Sequence, residues 1–119
     1  MIRRRSLLRA AVAGTLAGLA PAFAEGGPPA RVVIAGGALT EIAFAIGAGD
    51  RVVGVDATST WPPEADARPD IGYFRRLSAE GVLSLAPDML LAAPDAGPGI
   101  ALAQIAAAGV EIRTAPDLP

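Results

Sequence analysis

The chain has 119 residues, 52% of them apolar and 4% aromatic, a length for one domain and a composition for a core of Ala, Leu, Val and Ile. It contains no Cys and no His, which excludes thiol catalysis, Ser-His-Asp triads and zinc sites built on those ligands. Ten basic residues, all Arg, against twelve acids give a net charge of −2, a balance that argues against a nucleic-acid-binding surface.

The charges are unevenly placed. Arg3, Arg4, Arg5 and Arg9 stand in residues 1–24 with no acid, so residues 25–119 hold six basic against twelve acidic side chains, a net of −6. The basic start leads into the apolar, Ala-rich stretch 10–20, then Pro21 and Ala22-Phe23-Ala24. This is the order of a secretory signal peptide, with cleavage expected after Ala24. Arg3 to Arg9 also approximates a twin-arginine signal, so the export route stays open. The apolar stretch is short for a bilayer span, and an uncleaved anchor helix is the alternative. Residues 25–30, Gly- and Pro-rich, are expected to form a flexible lead-in.

From residue 31 the chain alternates strand and helix. Arg31-Val32-Val33-Ile34-Ala35 reads as a buried strand closed by Gly36-Gly37. Thr40 is expected to cap a helix carrying Ile42, Ala43 and Ile46 on its apolar positions, with Gly47 as the stop. Arg51 to Asp56 is the next strand, and the spacing of the two strand starts suits a parallel pair with a crossover helix. Residues 57–76 hold the single Trp and single Tyr among Pro, Gly and small polar residues. A loop of that length with that aromatic content reads as functional. A helix is expected from Ser78 through Leu85, stopped by Pro87. Asp88 to Ala93 is a third strand, a helix carrying Ile100, Leu102, Ile105 and Ala106 ends at Gly109, and Val110 to Thr114 is a fourth strand. The order implies an α/β fold with a short, mostly parallel sheet flanked by helices. A last strand without a covering helix leaves a sheet face partly bare, so the chain reads as part of a longer protein.

Candidate chemistry is sparse. Gly36-Gly37 at a strand-to-helix turn offers backbone N–H groups to an anion, but it lacks the Lys of a P-loop and the third Gly of a dinucleotide fingerprint; a tight turn is the ordinary reading. Gly47-Ala48-Gly49-Asp50 reads as a helix C-cap. Glu64, Asp66 and Asp70 match no calcium loop and read as a solvated acidic rim. Tyr73 with Arg75 and Arg76 is the most informative group. A cation beside a phenol favours the phenolate, a hard oxygen donor suited to ferric iron, and the guanidinium groups suit ligand carboxylates. The alternative is a loop-packed Tyr with two solvated Arg.

Residues 31–116 resemble the N-terminal lobe of the periplasmic haem-binding proteins that feed bacterial haem ABC importers. The resemblance is carried by Gly36-Gly37-Ala38-Leu39-Thr40-Glu41-Ile42, Arg51-Val52-Val53-Gly54-Val55-Asp56 and Thr58-Ser59-Thr60-Trp61-Pro62-Pro63-Glu64-Ala65. It continues through Pro69-Asp70-Ile71-Gly72-Tyr73-Phe74-Arg75, the stretch Leu77 to Leu85 and Pro87-Asp88. Of these, Gly-Tyr-x-Arg is the narrower haem-type signal, with Phe74 standing where the family usually has Met.

The resemblance implies the fold class of a helical-backbone (class III) periplasmic binding protein: two α/β lobes joined by a long helix, haem in the cleft, with only the first lobe represented. It implies that Tyr73 is an axial ligand of haem iron, that Arg75 lies close to it, and that Phe74, Trp61 and Arg76 contribute to the ligand pocket. It also implies haem as transported ligand with no catalytic cofactor, an inner-membrane ABC permease as partner, and Asp95 or Glu80 as a docking carboxylate. A monomeric carrier rather than an enzyme is expected. Cobalamin or a ferric siderophore is the alternative ligand within the superfamily. A small exported α/β enzyme is the alternative of another class, and it requires a convergent acid/base pair.

Overall fold

The structure, a computed structural model, describes residues 28–117, so the signal-peptide reading of residues 1–24 lies outside the described residues. Four strands form one sheet: β1 (Val32–Ala35), β2 (Val52–Val55), β3 (Met89–Ala92) and β4 (Glu111–Thr114), in the order β2-β1-β3-β4 with every pairing parallel. The helices between them are α1 (Gly37–Ala45), the single turn α2 (Pro63–Asp66), α3 (Ala79–Leu83) and α4 (Gly99–Ala107). The sheet expected to be mostly parallel is entirely so. The chain leaves the central strand β1 to one side for β2, then crosses to the other side for β3.

Strands β1, β2 and β3 are short apolar runs because both faces are covered near the centre, whereas the edge strand β4, Glu-Ile-Arg-Thr, is largely exposed. On one face Val33, Ala35, Leu90 and Ala92 pack with Val82 of α3 and Ala101 and Ile105 of α4. On the other, Val32, Ile34, Val52 and Val55 pack against Ala43 of α1, with Leu39 and Phe44 alongside. Arg68 fastens the β2 edge: its guanidinium donates to the carbonyls of Val52 (2.8 Å), Gly49 (3.2 Å) and Glu64 (3.3 Å), and lies 5.5 Å from the Phe44 ring centroid.

Two sequence expectations are corrected. Helix α1 begins at Gly37, not after Thr40; Thr40 lies inside it, fully buried, with its hydroxyl 2.8 Å from that of Ser59. The cap comes from elsewhere in the fold, because the Gly36 and Gly37 N–H groups donate to Asp56 Oδ1 and Thr58 Oγ1. The buried face of α1 is therefore Thr40 and Ala43, whereas Ile42 and Ile46 are 56% and 75% exposed. Those isoleucines border an apolar groove of about 190 Å³ beside Val32, Ile34, Met89 and Leu91. In α4, likewise, Ile105 is buried and Ile100 is exposed. Ser78 does cap α3, its hydroxyl accepting from the Gly81 N–H, and Gly47 and Gly109 end α1 and α4 with positive φ.

Replacing the fully buried Ile105 by Ala is expected to cost about 2–5 kcal/mol in urea unfolding, whereas Ile46→Ala should stay within about 0.5 kcal/mol. Equal losses at the two positions would contradict this burial pattern.

Candidate functional site

All three loops that follow β1, β2 and β3 lie at the carboxyl edge of the sheet, the edge at which open α/β sheets bind ligands. The loop after β2 is the longest and runs from Asp56 to Leu77. At its start the Asp56 side chain, 2% exposed, accepts from the N–H of Gly36 (3.0 Å), the N–H of Thr58 (3.2 Å) and the hydroxyls of Thr58 (2.8 Å) and Ser59 (2.8 Å). A buried carboxylate is tolerated because every approach to it is a donor. The backbone at Gly37 passes so close to Thr58 that a Cβ there would lie 2.6 Å from the Thr58 carbonyl oxygen, which requires glycine. The Gly36 N–H thus meets an anion that is the protein's own, the Asp56 carboxylate, while the Gly37 N–H donates to the Thr58 hydroxyl.

Further along, the segment 69–72 returns to the outer edge of β2, with Val55 N–H donating to Pro69 (3.0 Å) and Ile71 N–H to Val55 (2.9 Å). Immediately after it Tyr73 leads into a one-turn 3₁₀ helix, Phe74–Arg76. The turn is clamped to the loop after β3 by paired backbone bonds, Gly97 N–H to Phe74 (3.0 Å) and Leu77 N–H to Gly97 (2.9 Å). Phe74 is half-buried against the core and Tyr73 is 42% exposed. Their rings meet edge to face at 5.0 Å between centroids. The Arg75 guanidinium carbon lies 5.4 Å from the Phe74 ring centroid, and the guanidinium pairs with Asp95 in the loop after β3.

Tyr73, Phe74 and Arg75 therefore form one exposed cluster. Arg76 is exposed on the same turn, and its N–H closes that turn on the Tyr73 carbonyl at 2.8 Å. Trp61 is 62% exposed in the same loop and lines an open cleft with Phe44, Ala45 and Pro62, between Glu41 and Glu64. Among the described residues no ring contact joins it to Tyr73. Glu64, Asp66 and Asp70 are exposed; Asp70 Oδ1 accepts from the Gly72 N–H at 2.7 Å, and no group of three or more Cys, Asp or Glu side chains that could hold a metal occurs among the described residues. Sequence reading missed the scaffold role of Asp56, Thr58 and Ser59. Its signal is an Asp-x-Thr-Ser run directly after an apolar strand.

Such a lobe, a parallel sheet whose carboxyl-edge loops present an aromatic and cationic cluster, has the build of a ligand-binding module. The chain belongs to the periplasmic binding protein family, which it matches over residues 32–113. It is 45% identical to a periplasmic heme-binding protein from Pseudomonas aeruginosa, with a TM-score of 0.72 over 73% of this chain and 31% of that one. It is 51% identical to the periplasmic heme-binding protein RhuT from Roseiflexus sp. RS-1, with a TM-score of 0.69 over 73% of this chain and 34% of that one. The vitamin B12-binding protein of Photorhabdus laumondii subsp. laumondii is 32% identical over 71% of this chain and 30% of that relative. The chain thus spans about a third of the length of the relatives it matches.

Asp56→Asn keeps the side-chain shape but turns an amide donor toward donors. It is expected to lower stability by about 1.5–3 kcal/mol in urea unfolding. A change under about 0.5 kcal/mol would mean that the β1 and β2 loops are held by other contacts.

Proposed function

We propose that this chain is the ligand-reading part of an exported carrier that captures haem in the periplasm and delivers it to an inner-membrane ABC permease. The observation that carries this reading is the exposed Tyr73 at the carboxyl edge of the sheet, its ring edge to face with Phe74, which in turn carries the Arg75 guanidinium. A phenolate oxygen suits ferric iron, and Tyr is an established haem axial ligand type, so Tyr73 takes the iron. Arg75 and Arg76 supply positive charge for the porphyrin carboxylates, and Phe74 and Trp61 supply apolar surface for its ring. Haem here is cargo, held and released unchanged, and the carrier works as a monomer without a catalytic cofactor.

The identities of 45% and 51% to heme-binding proteins, against 32% to a vitamin B12-binding protein, favour haem. Cobalamin is the second reading, supported by that B12-binding relative. Export relies on residues 1–24, with cleavage after Ala24, and residues 25–30 lead into the lobe, where the Ala30 N–H donates to Asp88 Oδ2 at 3.1 Å. Of the two carboxylates considered for permease docking, Asp95 is engaged with Arg75, while Glu80 is exposed on α3 with no ion pair among the described residues. Glu80 is therefore the docking carboxylate in this reading.

In the full-length protein, Tyr73→Phe is expected to remove the phenolate-to-iron charge-transfer band of bound haemin. Affinity should fall by at least the roughly 10–100-fold that outer-shell changes cost a metal site. Unchanged spectrum and affinity would remove Tyr73 as the iron ligand. Titration with cyanocobalamin, expected to leave bound haemin in place, separates the two ligand readings.

A further inference from the structure

Asp95 is the one acidic side chain that reaches the Tyr73-Phe74-Arg75 cluster among the described residues, and it comes from a different loop. Its own position is fixed by the sheet. Ala93 donates to the Ala35 carbonyl at the end of β1 (2.8 Å), Ala96 donates back to Ala93 (3.0 Å), and Gly97 is clamped to the Tyr73–Leu77 turn. Arg75, on that turn, lays its guanidinium along the Phe74 ring and gives one Nη2–H to Asp95 Oδ2. Its remaining N–H donors have no protein acceptor among the described residues. The guanidinium therefore has capacity for a second carboxylate beside the phenol.

The side chains of the pair are 57% and 51% exposed. An ion pair so open to water adds little net stability, and either partner can be rehydrated when the other is taken. That makes the pair exchangeable in a way a buried one is not. We propose that Asp95 is a placeholder carboxylate: it keeps the Arg75 guanidinium against Phe74 while the lobe is empty and yields it, in whole or in part, to a carboxylate of the ligand on capture. Asp95 thereby sets how tightly an acid-bearing ligand is held, by competing for the cation that recognises it. Relieving that competition strengthens carboxylate recognition. This inference rests on the reading of Tyr73 and Arg75 as a haem-capturing pair, and it assigns Asp95 a part that neither permease docking nor loop structure requires.

The test uses the full-length protein, haemin, and haemin dimethyl ester, in which both carboxylates are masked. Asp95→Asn is expected to tighten haemin by about two- to fivefold, the range of an exposed ion pair, and to leave the dimethyl ester unchanged. Asp95→Glu, which keeps a carboxylate in reach, should retain the wild-type preference. In an Arg75→Ala background the Asp95→Asn change should have no effect on either ligand. Weaker binding of both ligands by Asp95→Asn would assign Asp95 a structural role and overturn the proposal, as would an equal gain for both. If the wild-type protein binds neither haemin nor its ester, the haem reading fails and this inference with it. If it binds both, and Asp95→Asn leaves their ratio unchanged, only the placeholder role is lost.

Discussion

A carboxylate with almost no access to water organises the working edge of this lobe. Asp56 stands where β2 ends and gathers donors from three directions: the turn after β1, its own loop at Thr58, and the Ser59 hydroxyl that continues to Thr40 inside α1. In a parallel sheet the strand ends and the following helix starts all leave unpaired N–H groups at the same edge. One short acidic side chain answers two backbone N–H groups there, those of Gly36 and Thr58, together with the hydroxyls of Thr58 and Ser59. Because each bond to a charged acceptor is worth more than a neutral one, the start of the long loop is fixed relative to β1 and α1.

The far end of that loop is held by different means. The 69–72 segment pairs with the β2 edge, and Gly97 clamps the Phe74 turn to the loop after β3. Between Asp56 and the Gly97 clamp the chain carries its exposed aromatic side chains, Trp61 and Tyr73. Large apolar groups exposed on a rigid support fit ligand capture better than core building. The cationic side chain beside Tyr73 is steadied by an aromatic face and by a carboxylate, so the cluster is ordered while its phenol remains accessible.

Much of this was legible in the residues. The apolar runs at 32–35, 52–55 and 89–92 mark strands, the glycines at 47 and 109 end helices, and Ser78 begins one. The Gly-Tyr-x-Arg segment drew attention to the cluster that the fold does assemble. What stayed hidden depended on partners distant in sequence. Thr40 looks like a cap because a cap from Asp56, sixteen residues on, leaves no local trace. Ile42 and Ile46 look like core because a nine-residue helix with apolar residues on most sides has no decisive face; the sheet selected Thr40 and Ala43. The Arg75–Asp95 pair joins loops from different strands, and only the β1–β3 neighbourhood brings them together.

With its beginning buried at Asp56 and its end sewn to the β2 edge and Gly97, the stretch from Thr60 to Arg68 behaves as an interchangeable cassette. Its exposed side chains, such as Trp61, Glu64 and Asp66, can be rewritten without disturbing the frame, whose bonds are made by backbone groups and by residues outside the stretch; the buried Ala65 and the bonding Arg68 are the exceptions. Exposed positions of the insert are therefore free to vary while the hems that hold it stay the same.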